Sequence, residues 1–187
     1  MSSDPRPAPV ADALRHRRSQ SKVSAEAPTD AQLLPLVEAA GSVADHSGLH
    51  PWRIIALRGP ARERLGAAMA EAAGLEGDAA AKLAGKPLRA PLLLAVVVSP
   101  QPSIKVPHWE QEAVASGVAH ALTLVLDEAG WGVMWRTGLQ TRSEQVARAH
   151  GLAPGEQLLG WLYVGGPDRE KSGLRKPINA ARFLTSL

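Results

Sequence analysis

Apolar and polar residues follow two different periods along the chain, and these predict a mixture of helices and strands. Apolar residues spaced three or four apart predict helices at residues 11–18, 29–40, 60–73, 74–85, 110–129 and 143–150. Short, nearly continuous apolar runs predict strands at residues 52–57, 91–98, 132–135 and 157–164. Because the strands and helices do not alternate regularly, we expect an α+β fold in which helices flank a small central sheet.

The predicted helix at residues 110–129 is the longest, and apolar residues almost encircle it. Its main stripe includes Val114, Val118, Leu122 and Val125, and His120 interrupts the apolar run. A helix that is apolar on all sides lies in the centre of a molecule or in a subunit interface. We therefore expect this helix in one of those two places, with His120 as a buried and hydrogen-bonded histidine.

A length of 187 residues fits one domain of ordinary size. Residues 1–10 hold three prolines and are expected to form a mobile leader, so that residues 11–187 form the domain. The net charge is +3, but acidic and basic residues are interspersed, and no basic stripe carries stacking aromatic residues. Binding to nucleic acid is therefore not expected.

The chain contains no cysteine, which excludes disulfides, thiolate metal sites and cysteine nucleophiles. The longest apolar region, residues 113–126, is too short to span a bilayer, and no signal-peptide pattern is present. These features predict a cytoplasmic protein without a membrane partner.

A short polar stretch near the start of the chain carries the chemistry of a phosphate site. Arg17, Arg18, Ser19 and Ser21 offer two guanidinium groups and two hydroxyls within five residues. Guanidinium groups bind phosphate through paired N–H donors, and hydroxyls can fill the remaining oxygen positions. Taken alone, such a cluster is more often a solvated helix end.

Two further stretches, residues 44–53 and 135–138, combine histidine, tryptophan and arginine. His46 and His50 have a spacing that could bind zinc on a helix, but Gly48 and Pro51 disfavour a helix there and no third ligand is evident. A metal site is therefore not expected. The dinucleotide-binding glycine fingerprint, the phosphate-binding Walker loop and the serine nucleophile elbow are also missing from the sequence.

With these motifs in this order, the sequence resembles the nitroreductase superfamily of FMN-dependent oxidoreductases, and within it the small YdjA-type NAD(P)H nitroreductases. The resemblance runs from about residue 14 to residue 167 and covers most of the chain. It rests on Arg-Arg-Ser-x-Ser, on Asp-His followed by Pro-Trp, on Leu-Arg-Ala-Pro-Leu, on Trp-Glu-Gln-Glu at residues 109–112 and on Trp-Arg-Thr-Gly at residues 135–138. It implies a three-layer fold and an intertwined homodimer with shared active sites.

The resemblance also implies the residues that bind the cofactors, while the flavin itself carries the chemistry and no catalytic side chain is expected. The implied FMN contacts are Arg17, Arg18, Ser19, Ser21, Ser42, His46, Trp135, Arg136, Thr137 and Arg175. His46 would reach the flavin from the other subunit, and the tail at residues 166–187 would wrap the partner. The segment Val125, Leu126, Asp127, Glu128, Ala129 and Gly130 matches the stretch that relatives use for the nicotinamide nucleotide.

The activity implied is a ping-pong transfer of a hydride from NAD(P)H through FMN to a nitroaromatic compound, a quinone or a similar acceptor. Two residues depart from the pattern: Ser42 stands where relatives can carry arginine, and His50 replaces a common glutamine. The lost charge at Ser42 predicts weaker retention of FMN. An alternative is a flavin-binding or storage protein with little turnover. Flavin-fragmenting or dehalogenating chemistry on the same scaffold is a third possibility.

Overall fold

The centre of the protein is an antiparallel sheet of four strands in the order β1-β2-β4-β3. The computed structural model describes residues 9–167 and 176–187. The strands are β1 (Trp52–Leu57), β2 (Leu92–Val98), β3 (Gly132–Arg136) and β4 (Gln157–Gly165). The helices are α1 (Pro9–His16), α2 (Asp30–Ala40), α3 (Pro60–Ala72), α4 (Gly77–Ala84), α5 (His108–Glu128) and α6 (Glu144–Ala149). All ten elements lie within a few residues of their predicted positions.

Successive residues of β2 point to opposite faces of the sheet, and each face has its own apolar cluster. Leu93, Ala95 and Val97 pack in a cluster with residues of α3 and α6. Leu92, Leu94 and Val96 pack in a second cluster with residues of α2 and α5. All seven β2 residues are buried, as the unbroken apolar run predicts. The fold is therefore α+β with helices on both faces of the sheet, which confirms the prediction.

One face of α5 packs on the sheet, and the opposite face is open. Val118, Leu122 and Leu126 are fully buried against the strands, whereas Trp109 is 68% exposed. His120 is exposed, so the expectation of a buried histidine was wrong. His120 is close in sequence to the buried residues Ala119 and Leu122, but its side chain lies on the flank of the helix. Residues next to each other in a helix point in different directions, so apolar neighbours in sequence do not bury a residue.

The segment that follows α1 covers the outer edge of β3. Ser19 forms a parallel bridge with Val133, and the Gln20 N–H donates to the Val133 carbonyl at 3.0 Å. Further along, the Ser24 N–H donates to the Gly166 carbonyl at 3.1 Å. Because β3 is an edge strand, this segment satisfies backbone groups that would otherwise be unpaired.

The two ends of the chain lie partly outside the described residues. Residues 1–8 of the predicted leader and Arg175 of the predicted flavin site fall there, while Pro9 and Val10 form the first turn of α1. All residues from 176 to 187 are exposed, including Phe183 at 76% and Leu184 at 79%. Within the described ranges, no helix has the length and apolar character needed to cross a membrane.

Candidate functional site

The predicted phosphate-binding stretch, residues 17–21, lies beside β3, the strand that leads into the stretch at residues 135–138. Arg17 follows directly after α1, and its N–H donates to the Ala13 carbonyl at 2.9 Å. Arg17 and Arg18 are half-buried. The bridge between Ser19 and Val133 places this stretch two residues before Trp135 on β3. Two parts of the chain that are more than a hundred residues apart therefore lie side by side.

The carboxyl end of β3 carries donors that no described residue uses. The indole Nε1 of Trp135 and the guanidinium Nε of Arg136 are buried and have no hydrogen-bond partner within the described ranges. The rings of Trp135 and His120 meet edge to face with centroids 5.1 Å apart. Thr137, the next residue, is exposed. Buried donors of this kind are normally paired, so this end of β3 fits a group that supplies hydrogen-bond acceptors.

The Arg136 side chain on β3 packs against the Tyr163 ring on the neighbouring strand β4. The Arg136 Cζ lies 5.1 Å from the centroid of the Tyr163 ring, which is a cation–π distance. Burial raises the pKa of the Tyr163 hydroxyl, and the positive charges of Arg136 and Arg89 oppose that rise. Tyr163 therefore stays neutral near pH 7, and its ring supports the Arg136 guanidinium.

A glycine on β4 makes this packing possible. Gly160 has φ +141°, and a Cβ there would lie 2.5 Å from the Arg136 carbonyl oxygen and 2.8 Å from the Trp135 Nε1. Such contacts are far inside van der Waals distance, so only glycine fits. The position of the Trp135 indole thus depends on a residue in another strand.

Most of the second stretch, residues 44–53, lies in the loop between α2 and β1. Gly41 begins this loop, and a Cβ at Gly41 would lie 2.8 Å from the ring of Trp52. Ser42 is exposed, and its Oγ donates to the Glu38 carbonyl at 3.4 Å, so it extends the last turn of α2. The loop therefore starts from a fixed point against β1, with Ser42 at the surface.

His46 lies beside the amino-terminal end of α5. Its Nδ1 is 2.8 Å from the Oε2 of Glu110, in the first turn of that helix. Both side chains line a cavity of about 670 Å³ together with Trp109, Ala113 and the loop residues before His46. A volume of this size is typical of sites for small molecules.

Within one chain, His46 and Trp135 are held at different points along α5. His46 pairs with Glu110, and Trp135 packs on His120, ten residues further along the helix. At 1.5 Å per residue, these two anchor points are about 15 Å apart. One chain therefore does not bring His46 to the end of β3.

The stretch predicted for the nicotinamide nucleotide spans the end of α5. Leu126 is fully buried in the core, so its side chain packs against the sheet. Burial raises the pKa of the Asp127 carboxyl. Glu128, Ala129 and Gly130 are exposed, and Gly130 ends the helix with φ +84°. Of the six predicted residues, these last three are the most accessible, and Val125 and Asp127 are half-buried.

The sequence alone does not indicate a role for Glu110, although it lies in the Trp-Glu-Gln-Glu motif. Its contact with His46 joins residues 64 positions apart. No local spacing rule connects a loop histidine with an acidic residue in the first turn of a distant helix. The one available signal was the position of Glu110 at a helix start, where acidic residues are common for other reasons.

The chain is similar to known proteins over most of its length. The model of the nitroreductase family matches residues 14–166. YdjA of Escherichia coli (strain K12), which carries a provisional assignment as an NAD(P)H nitroreductase, is 35% identical over 162 residues, or 85% of this chain and 88% of YdjA.

Two solved structures share the fold. A nitroreductase-like family protein from Bacillus cereus has a TM-score of 0.82 at 20% identity and covers 100% of this chain and 98% of its own. The FMN- and NADPH-dependent nitroreductase NfnB from Sphigopyxis sp. strain HMH has a TM-score of 0.73 at 16% identity. The match covers 95% of this chain and 98% of the NfnB chain. On the family match and the identity to YdjA, this chain belongs to the nitroreductase family.

Proposed function

We propose that this protein is an FMN-dependent oxidoreductase that transfers a hydride from NAD(P)H to a nitroaromatic compound, a quinone or a similar acceptor. Membership of the nitroreductase family and the names of its relatives support an oxidoreductase that uses FMN and NAD(P)H. The observation that carries the proposal is the bridge between Ser19 and Val133. It joins a stretch suited to a phosphate with a strand end that has unused buried donors.

The residues around β3 fit the two ends of FMN. Arg17, Arg18 and Ser19 would hold the phosphate, because guanidinium and hydroxyl groups can together donate to all its oxygens. Trp135 would donate to an acceptor atom of the flavin ring through Nε1 on the α5 side of the sheet. Arg136, the next residue, points to the opposite side and packs on Tyr163, so its Nε would donate from there. When bound, FMN supplies the redox chemistry, since it can take a hydride from NAD(P)H and return electrons to an acceptor.

We also propose that the active form is a homodimer with shared sites. The open face of α5 carries Trp109, and the end of the chain exposes Ile178, Phe183 and Leu184, each at least 68% accessible. Apolar side chains exposed at this level favour burial against a second protein surface. The separation of about 15 Å between the anchors of His46 and Trp135 supports a site to which each subunit supplies one of them.

The first experiment is an absorption spectrum of the purified protein after incubation with excess FMN and desalting. About one flavin retained per chain is expected, followed by steady oxidation of NADH or NADPH when a quinone is added. Arg18→Gln should reduce flavin retention. Arg64→Gln, which changes an exposed arginine on α3 across the sheet, should not. A wild-type protein that retains no flavin would refute the proposal.

A second candidate function is a flavin-binding protein with little turnover. Ser42 favours it, because it stands exposed where relatives can place a charged flavin contact. Retained flavin without oxidation of NADH or NADPH in the presence of quinone and nitroaromatic acceptors would support this candidate. Light scattering after size-exclusion chromatography tests the dimer separately, with about twice 19.7 kDa as the expected mass.

A further inference from the structure

The loop that carries His46 is held in an unusual backbone conformation. Ser47 and His50 have φ values of +68° and +47°, which residues other than glycine rarely adopt. The Asp45 Oδ2 accepts a hydrogen bond from the His50 N–H at 2.7 Å, which closes the loop on itself. Conformations of this kind persist where surrounding contacts fix them, and they concentrate at functional sites. The loop therefore presents the His46 side chain from a fixed backbone.

The contact between His46 and Glu110 determines which ring nitrogen carries the proton. An ionised carboxylate only accepts hydrogen bonds, so the His46 Nδ1, 2.8 Å from the Glu110 Oε2, must be the donor. The Nε2 atom, on the other side of the ring, makes no hydrogen bond to any residue in the described ranges. The pair is part exposed, with 54% of the His46 side chain and 28% of the Glu110 side chain accessible.

The space beside this pair is shaped for an apolar ligand with a polar edge. Apart from the loop and Glu110, the cavity is lined by Trp109, Ala113, Val114 and Gly117 along one side of α5. Small residues at 113 and 117 leave room beside the helix, and Trp109 offers an aromatic surface at 68% exposure. A planar ring with acceptor or donor atoms at its edge would fit both the apolar wall and the histidine.

We propose that Glu110 is a positioning residue that fixes the protonation and orientation of His46 and thereby directs its Nε2 to the ligand. This inference rests on the proposed function, because that ligand is the flavin or its electron acceptor at a site shared between subunits. Functional histidines commonly donate a hydrogen bond from one ring nitrogen to a neighbouring acceptor. That bond fixes the orientation of the ring and leaves the other nitrogen for the ligand. Glu110 itself need not touch the ligand.

The first test measures the histidine tautomer in the protein without flavin. Long-range proton–nitrogen NMR spectra, assigned by comparison with His46→Gln, should show the proton of His46 on Nδ1. Glu110→Ala should remove that preference, whereas Glu110→Gln should keep it, because the amide oxygen can still accept. Glu112→Gln is the matched control, since Glu112 lies two residues along the same helix and pairs with Arg142 at 3.8 Å. A proton on Nε2 in the wild-type protein would overturn the proposal.

The second test measures FMN affinity by fluorescence titration and the kinetics of quinone reduction. Glu110→Ala and His46→Ala should each weaken FMN binding or raise the KM for the acceptor by roughly three- to tenfold, the range of one lost hydrogen bond. The double variant should be no worse than the poorer single variant, because both remove the same interaction. Glu110→Gln should recover most of the loss.

The two tests separate this inference from the proposed function. If the wild-type protein binds FMN and turns over but Glu110→Ala behaves like Glu112→Gln, the positioning role is refuted and the function stands. If the wild-type protein binds no FMN, the proposed function fails. The NMR result then still decides whether Glu110 fixes the ring of His46.

Discussion

The buried carboxylate of Glu156 ties β1 to the loop that precedes β4. Its Oε1 accepts from the Arg53 Nε at 2.7 Å, and its Oε2 accepts from the Arg53 Nη2 at 2.6 Å and from the Ala153 N–H at 2.8 Å. The side chain of Glu156 is 8% exposed and that of Arg53 is 39% exposed. The hydrogen bonds from Arg53 lower the pKa of Glu156 from its usual 4.5 to about 2.

This fall in pKa sets the size and sign of the expected effect. At 1.36 kcal/mol per pKa unit, the ionised carboxylate stabilises the fold by about 3 kcal/mol. Because Arg53 is more than a third exposed, solvent screening reduces this figure, and we expect Glu156→Gln to cost about 2 kcal/mol. The stabilisation is complete above the unfolded pKa of 4.5 and is lost as the pH falls through 2, since the unfolded chain binds the proton first.

Urea unfolding at fixed protein concentration measures the effect. The difference in unfolding free energy between wild type and Glu156→Gln should be largest at pH 7 and should shrink below pH 4.5. Glu144→Gln is the control, because this carboxylate is 91% exposed and 3.7 Å from Arg148, so its urea midpoint should not change measurably. A Glu156→Gln difference that matches the control, or that stays constant with pH, would refute the reasoning.

Three further predictions concern a histidine, a glycine and the departure from the family pattern. Burial lowers the pKa of His150, whose ring accepts from the Trp161 Nε1 at 3.0 Å, so the folded state binds fewer protons than the unfolded chain. Stability should therefore fall as the pH drops below 6.5, and thermal unfolding of His150→Gln should depend less on pH in that range. Gly160→Ala should lower the free energy of unfolding in urea by more than about 2 kcal/mol, because the new Cβ would lie 2.5 Å from the Arg136 carbonyl oxygen. A urea midpoint equal to that of the wild type would contradict this. Ser42→Arg should tighten FMN binding by up to about tenfold in a fluorescence titration, and an unchanged affinity would show that the lost charge is immaterial.

The helices and strands were predictable because their signals are local. A threonine followed three residues later by a glutamine is the sequence pattern of a capping box, and both of its bonds are present at the start of α2. The Gln32 N–H donates to the Thr29 Oγ1 at 3.3 Å, and the Thr29 N–H donates to the Gln32 Oε1 at 2.8 Å. The nearly continuous apolar run at residues 91–98 predicted a buried strand, and β2 is buried along its whole length. Each of these patterns lies within a few residues, so no tertiary information was needed.

The packing of individual side chains was less predictable. The main stripe of α5 indicated that Val118 and Leu122 meet the sheet, but the apolar residues on all sides of His120 did not show where its own side chain lies. The structure places Val118, Ala119 and Leu122 in the core and His120 on the flank beside Trp135. The buried face of a helix can be predicted when only one face is apolar. It is harder to predict for a helix such as α5, in which more than one face is apolar.

The candidate site depends on contacts between distant parts of the chain. Ser19 reaches Val133, and His46 reaches Glu110, through pairings that follow from strand order and helix packing. The family resemblance predicted Ser19 and His46 as site residues, because a resemblance identifies positions in the sequence. It does not identify which residues contact one another. It could not supply Glu110 as the partner of His46, since that role is visible only when the loop and the helix are seen together.

The length of α5 explains why the predicted flavin residues divide into two groups. The helix has 21 residues, and the groups attach near its start and near its middle. Since a helix is rigid over this distance, small adjustments of one chain do not close the separation of about 15 Å, which supports the proposed contribution of a second copy to each site. If the dimer pairs α5 with its counterpart in the antiparallel sense, His46 of each subunit approaches the β3 end of the other. The same helix would then set both the subunit interface and the spacing of the shared sites.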